Sequence, residues 1–210
     1  MNKIKAILFD MDGVLIEAKD WHYEALNRAL GLFGMAISRY DHLVTYDGLP
    51  TKKKLEMLSR ERNLPAALHP FLNKMKQQYT MELVLNKCKP VFFHEYALSR
   101  LTSDGFRLAV CSNSIRTSIE VMMDRSNLAK YLEFMISAQD VSIGKPNPEI
   151  YNLAISRMML KPEECLILED NEHGIQAAVA SGAHLMRIHS VEDVNYQDIK
   201  GRIQEIESSL

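Results

Sequence analysis

Ala6-Ile7-Leu8-Phe9-Asp10-Met11-Asp12-Gly13-Val14 is the stretch whose reading decides the fold. Four apolar residues end abruptly in two carboxylates and a glycine, the pattern of a buried strand feeding a polar turn. The pattern recurs along the chain. Residues 107–111 run into Ser112, Asn113 and Ser114, residues 133–137 stop before Gln139 and Asp140, and residues 165–168 run into Glu169 and Asp170. Residues 183–188 supply a further strand. Helical patterns follow most of these runs, over 114–125, 148–159 and 172–181. Strand alternating with helix implies an α/β fold, a Rossmann-like parallel sheet flanked by helices. Asn147 before Pro148 suits an N-cap and first helical position, and Gly105 and Gly182 suit helix ends.

Between Glu17 and about Val91 the character changes. Strand signals disappear, and helical patterns run over 20–33, 51–62 and 71–85. This reads as an inserted helical-bundle cap over residues 17–87. The α/β core is then discontinuous, built from residues 1–16 and 88–210.

Composition narrows the class. A chain of 210 residues can bury a sizeable core. A formal net charge of -2 gives no field that would draw nucleic acid or an anionic membrane to the whole surface, so anion binding must be local. Cys88, Cys111 and Cys165 are an odd, scattered set without CxxC spacing, which argues against a disulfide framework and a structural zinc site. They read as reduced core residues. The apolar run after Lys5 ends within four residues at Asp10, too short for a signal peptide, and no stretch has transmembrane length. The chain reads as cytoplasmic.

Ligands of open parallel sheets bind outside the carboxyl ends of the strands, which is where Asp10, Asp12, Ser112, Asn113, Glu169 and Asp170 fall. Asp10 and Asp12, two residues apart, point the same way at the strand end. One carboxylate can attack phosphorus to give an aspartyl phosphate, while the other protonates the departing alkoxide and then activates water. Phosphoryl transfer needs its charge neutralised. Asp10, Glu169 and Asp170 make an all-oxygen site that suits Mg2+ better than zinc. The Ser112 hydroxyl and the Lys145 ammonium, in Gly144-Lys145-Pro146, can hold the non-bridging oxygens.

These pieces, in this order, resemble the four motifs of the haloacid dehalogenase superfamily from Ile7 to about Arg187. Phe9-Asp10-Met11-Asp12-Gly13-Val14, Gly144-Lys145-Pro146 and Leu168-Glu169-Asp170 with His173-Gly174-Ile175 are similar to its helical-cap branch, which contains β-phosphoglucomutase and sugar phosphate phosphatases. The resemblance implies magnesium held by the Asp10 and Asp170 side chains and the Asp12 backbone carbonyl. It also implies substrate reading by the loop Gly48-Leu49-Pro50-Thr51-Lys52, with Thr51 and Lys52 as contacts, and coupling of the cap to catalysis through His22. Glu17 departs from the pattern, since many relatives carry Asp followed by a small hydroxyl residue there. Thr51 stands where β-phosphoglucomutase has an arginine.

Each assignment has a plainer reading beside it. Ser112 serves equally as a helix N-cap, and a helix N-terminus is itself an anion site. Glu169 is either a ligand or a carboxylate behind Asp170. Thr51 and Lys52 also fit a solvated basic helix start, His22 a half-exposed helix histidine, and Lys74 and Lys76 solvated helix lysines. The expected function is a magnesium-dependent phosphatase of a small sugar or polyol phosphate ester. The alternative is a phosphomutase of the β-phosphoglucomutase type, differing in how long water is excluded. Asp12 and the Glu169–Asp170 pair disfavour halide or phosphonate chemistry, and the intact acidic and basic set disfavours a silent binding module. The chain is expected to act as a monomer or weak homodimer, without nucleic acid or membrane partners.

Overall fold

The structure is a computed structural model that describes residues 4–46 and 48–209. Met1–Lys3 of the N-terminal segment, Asp47 and Leu210 lie outside the described residues. The chain divides into two compact units, Met1–Glu17 with Lys89–Leu210, and Ala18–Cys88.

The first unit begins with β1 (Ala6–Phe9) and the chain then passes into the second. There it forms α1 (Lys19–Gly31), the one-turn α2 (Arg39–Asp41), a π-helical turn over His42–Tyr46, α3 (Thr51–Arg62) and α4 (His69–Lys87). Back in the first unit, α5 (Phe92–Ser103) leads to β2 (Arg107–Cys111), α6 (Arg116–Arg125), β3 (Phe134–Ile136) and α7 (Glu149–Arg157). The chain ends with β4 (Cys165–Glu169), α8 (Glu172–Ser181), β5 (His184–Arg187) and α9 (Tyr196–Ser208).

All five strands are parallel, in the order β3-β2-β1-β4-β5. The short apolar runs are continuous, not alternating, because helices cover both faces of such a sheet. On one face Ala6, Leu8, Ala109, Cys111 and Ile167 pack with Ile150, Tyr151 and Ala154 of α7 and Ala177 and Ala178 of α8. On the other face Ile7, Phe9, Leu108, Val110, Leu166 and Leu168 are equally buried. Cys111 and Cys165 are buried and unbridged, and burial pushes both thiols up to about 12.

The helical unit has its own core, in which Leu26, Ala29 and Leu30 of α1 meet Leu55, Leu58 and Leu72 of α3 and α4. Asn27 ties the following loop to α1 by bonding both backbone groups of Ile37. At its surface α1 and α4 are cross-linked by Arg28–Glu82 and Lys87–Glu24, each at 3.0 Å.

Several boundaries differ from the sequence reading. The helix expected from residue 114 starts at Arg116, because the Ser114 amide donates to Ser112 Oγ and Ile115 stays extended. The helix expected from Pro148 starts at Glu149, with Asn147 Oδ1 accepting from the Glu149 amide at 3.0 Å. Gly182 ends α8 in the left-handed conformation, and Gly105, also at positive φ, follows α5. The helices α5 and α9 and the π-helical turn were not anticipated.

Candidate active site

Register assembles the site. Phe9 pairs with Val110 on one side and Leu168 on the other, so the next residues along the three central strands, Asp10, Cys111 and Glu169, emerge side by side. The Asp10 amide extends the ladder by one bond, donating to Leu168 O at 3.0 Å. The chain then folds back: the amides of Leu15 and Ile16 both donate to Met11 O, and Gly13 takes a positive φ of 89°. This turn presents Asp12, whose Oδ2 accepts from the Ser114 hydroxyl at 3.0 Å.

The ammonium of Lys145 sits at the centre and donates in three directions, to Asp10 Oδ1 at 2.6 Å, Glu169 Oε1 at 2.6 Å and Cys111 O at 2.7 Å. It is enclosed, with 4% of its side chain exposed against 1% for Glu169. Burial alone would lower the Lys145 ammonium, but Asp10 and Glu169 outweigh it and raise it above its ordinary value, so it stays charged. The loop that aims it is held by Asn113, whose Oδ1 accepts from the Lys145 amide at 2.9 Å and whose Nδ2 donates to the Lys145 carbonyl at 3.2 Å. Gly144 permits this approach, since a Cβ there would stand 2.6 Å from Asn113 Oδ1.

Burial raises the Asp10 carboxyl well above its ordinary range, Glu169 adds to the rise, and Lys145 opposes it. Asp10, Asp12, Glu169 and Asp170 together outnumber the Lys145 ammonium. Oxygens of Asp10, Glu169 and Asp170 lie within 4.8 Å of one another. A set of hard oxygen donors carrying surplus negative charge fits a divalent cation such as Mg2+.

Of the other sequence candidates, Ser112 is buried and its Oγ accepts from the Ser114 amide. Asp170 directly follows β4, and the Asn171 side chain then caps α8 by accepting from the His173 amide. Thr51 and Lys52 open α3, with Lys52 exposed. His22 lies on α1 with its Nδ1 3.2 Å from Nζ of the buried Lys76, while Lys74 is exposed. Glu17 is exposed.

The sequence reading gave no role to Ser114, Gly174 or Tyr151. Ser114 holds Asp12. Gly174, in the first turn of α8, leaves room for the Glu169 carboxylate, whose oxygens come within 2.2 Å of where a Cβ would stand. Tyr151, on α7, donates its hydroxyl to Glu169 Oε1. Its apolar neighbours Ile150, Ala154 and Ile155 mark a buried helix face, and a phenol on such a face needs a polar partner. That was the signal available.

An open parallel sheet with carboxylates from two strand ends around a buried lysine defines an α/β enzyme scaffold with an acidic, cation-ready centre. The chain belongs to the haloacid dehalogenase-like hydrolases, whose family model matches residues 7–188. It is 28% identical over 195 residues to a phosphorylated carbohydrates phosphatase of Thermotoga maritima, covering 90% of this chain and 88% of that protein. It is 27% identical over 179 residues to a fructose-1-phosphate phosphatase of Escherichia coli, covering 84% and 92%. In fold it matches a β-phosphoglucomutase structure from Clostridium difficile with a TM-score of 0.82 at 19% identity, covering 98% of this chain and 99% of that one.

Proposed function

We propose that the protein is a magnesium-dependent phosphatase of a small phosphorylated metabolite, a sugar or polyol phosphate, working through an aspartyl phosphate on Asp10. The observation that carries this reading is the Lys145 ammonium held 2.6 Å from both Asp10 Oδ1 and Glu169 Oε1 inside an acidic cluster. The phosphatase names of the Thermotoga maritima and Escherichia coli relatives support it.

A carboxylate oxygen of Asp10 forms the bond to phosphorus as the bond to the ester oxygen breaks, and Asp12 gives that oxygen its proton. The Ser114 hydroxyl orients Asp12 for both this step and the next. Asp12, now ionised, takes a proton from water as the water oxygen attacks phosphorus, releasing phosphate and restoring Asp10. Lys145 and the Ser112 hydroxyl offset charge on the phosphoryl oxygens, while Asn113 fixes the Lys145 loop. Asp10 and Asp170, with Glu169 beside them and the Asp12 carbonyl, would hold Mg2+. Bound there, the ion would neutralise phosphate charge and favour ionised Asp10.

We assign selection of the alcohol to the helical unit, through Thr51, Lys52 and His22. We also propose that it acts in the cytoplasm as a monomer or weak homodimer, and the net charge of -2 supports action without nucleic acid or an anionic membrane as partner. Among the described residues no helix is long and apolar enough to cross a membrane.

Phosphate release from a panel of sugar, polyol and short-chain acid phosphates, with magnesium and then with chelator, tests the reading. Magnesium-dependent release with one preferred sugar or polyol ester is expected. Interconversion of hexose phosphate isomers without release would make the protein a mutase, and neither activity would remove the reading.

A further inference from the structure

Glu169 Oε1 receives two donors, the ammonium of Lys145 and the hydroxyl of Tyr151. Both donors belong to one short segment, the loop at Lys145 and the first turns of α7. The Tyr151 ring also underlies the ammonium, with Nζ 4.9 Å from its centroid. On its other side the Glu169 carboxylate is backed by Gly174. Like-charge repulsion from Asp10 and Asp170, whose oxygens lie within 4.8 Å, works to turn this carboxylate. A hydroxyl on Oε1 opposes that rotation, and a buried hydrogen bond to a charged acceptor is among the stronger ones.

We propose that Tyr151 is a positioning residue: by holding Glu169 Oε1 against Lys145 it keeps the ammonium aligned on Asp10. Lys145 has three N–H bonds and three acceptors, Asp10 Oδ1, Glu169 Oε1 and Cys111 O. Losing the Glu169 direction lets the ammonium swing, and misalignment at a charge-stabilising group acts on the transition state more than on substrate binding. Tyr151 therefore acts through Glu169 and need not touch the substrate.

The inference rests on the phosphoryl-transfer reading above, and the test separates the two. Tyr151→Phe keeps the ring and removes only the hydroxyl. With the best ester of the panel and saturating magnesium, kcat should fall about tenfold while KM stays within about twofold. A kcat within about twofold of wild type, or kcat and KM worsening together, overturns the inference and leaves the phosphatase reading standing. A turnover-free measurement decides the case in which the variant does not fold or the wild-type protein hydrolyses nothing. The enclosed phenol proton should give a slowly exchanging signal in the proton NMR spectrum of the wild-type protein, and Glu169→Gln should shift it. If that signal is missing or does not move in E169Q, Tyr151 does not hold Glu169 and the inference falls.

Discussion

The two units show charge in two settings. In the helical unit, ion pairs such as Arg28–Glu82, Arg39–Asp20 and Lys87–Glu24 lie at the surface, where solvent screens them, and stability comes from the apolar cluster around Leu26, Leu55 and Leu72. The α/β unit places an ammonium and two carboxylates inside, at Lys145, Asp10 and Glu169, where desolvation is costly and every lone pair and proton needs a partner. A helical core of leucines tolerates substitution by volume. A buried charge cluster dictates its surroundings residue by residue, down to the missing side chain of Gly174.

The contrast is broken most severely at Asp10. Asp10→Asn keeps the shape but removes the nucleophile we propose, and turnover should fall about a thousandfold or more with the fold intact by circular dichroism. Undiminished activity in that variant would take Asp10 out of the reaction. In the helical unit the expected damage is to stability. Leu72 is fully buried in the apolar cluster, so Leu72→Ala should cost about 2–5 kcal/mol, read by chemical denaturation. A loss under 1 kcal/mol, on the order of an exposed leucine's, would show that this unit does not depend on its core.

A smaller effect separates the buried cluster from a rim ion pair in the same unit. Burial alone would raise the Asp140 carboxyl, but the hydroxyl and amide of Ser137 and the Arg116 guanidinium hold it at about 2. A carboxyl lowered by folding stabilises above its ordinary value near 3.8, and that contribution fades as pH falls toward the lowered one. Asp140→Asn should cost about 1 kcal/mol at pH 7, less than the full shift implies because the pair faces solvent, and the difference should narrow between pH 4 and about 2. A gap independent of pH would show that the loss comes from packing.

Much of the α/β unit was legible because its strands are short apolar runs closed by polar turns, so type and approximate ends follow from pattern alone. Strand order and register were not, since they depend on pairings between segments far apart in sequence. Helices α5 and α9 passed unnoticed although their buried stripes, Ala97, Leu98 and Leu101 in one and Ile199, Ile203 and Ile206 in the other, fall at helical spacing. At the site, the carboxylates and Ser112 stood out as polar residues where apolar runs stop, and Lys145 through its place in Gly144-Lys145-Pro146. Tyr151 was hidden because in sequence it reads as one more residue on the apolar face of α7, and only its hydroxyl distinguishes it.

The sheet's central strand is also the first to be made. Ala6 of β1 pairs with Arg107 and Cys165, so on the ribosome β1 emerges long before either neighbour exists. The Ala18–Cys88 segment, whose contacts are largely its own, is synthesised entirely within that interval. That segment is complete while Ile7, Leu8 and Phe9 still lack their strand partners, and the vulnerable period of the nascent chain lasts until the Cys165–Glu169 strand leaves the tunnel.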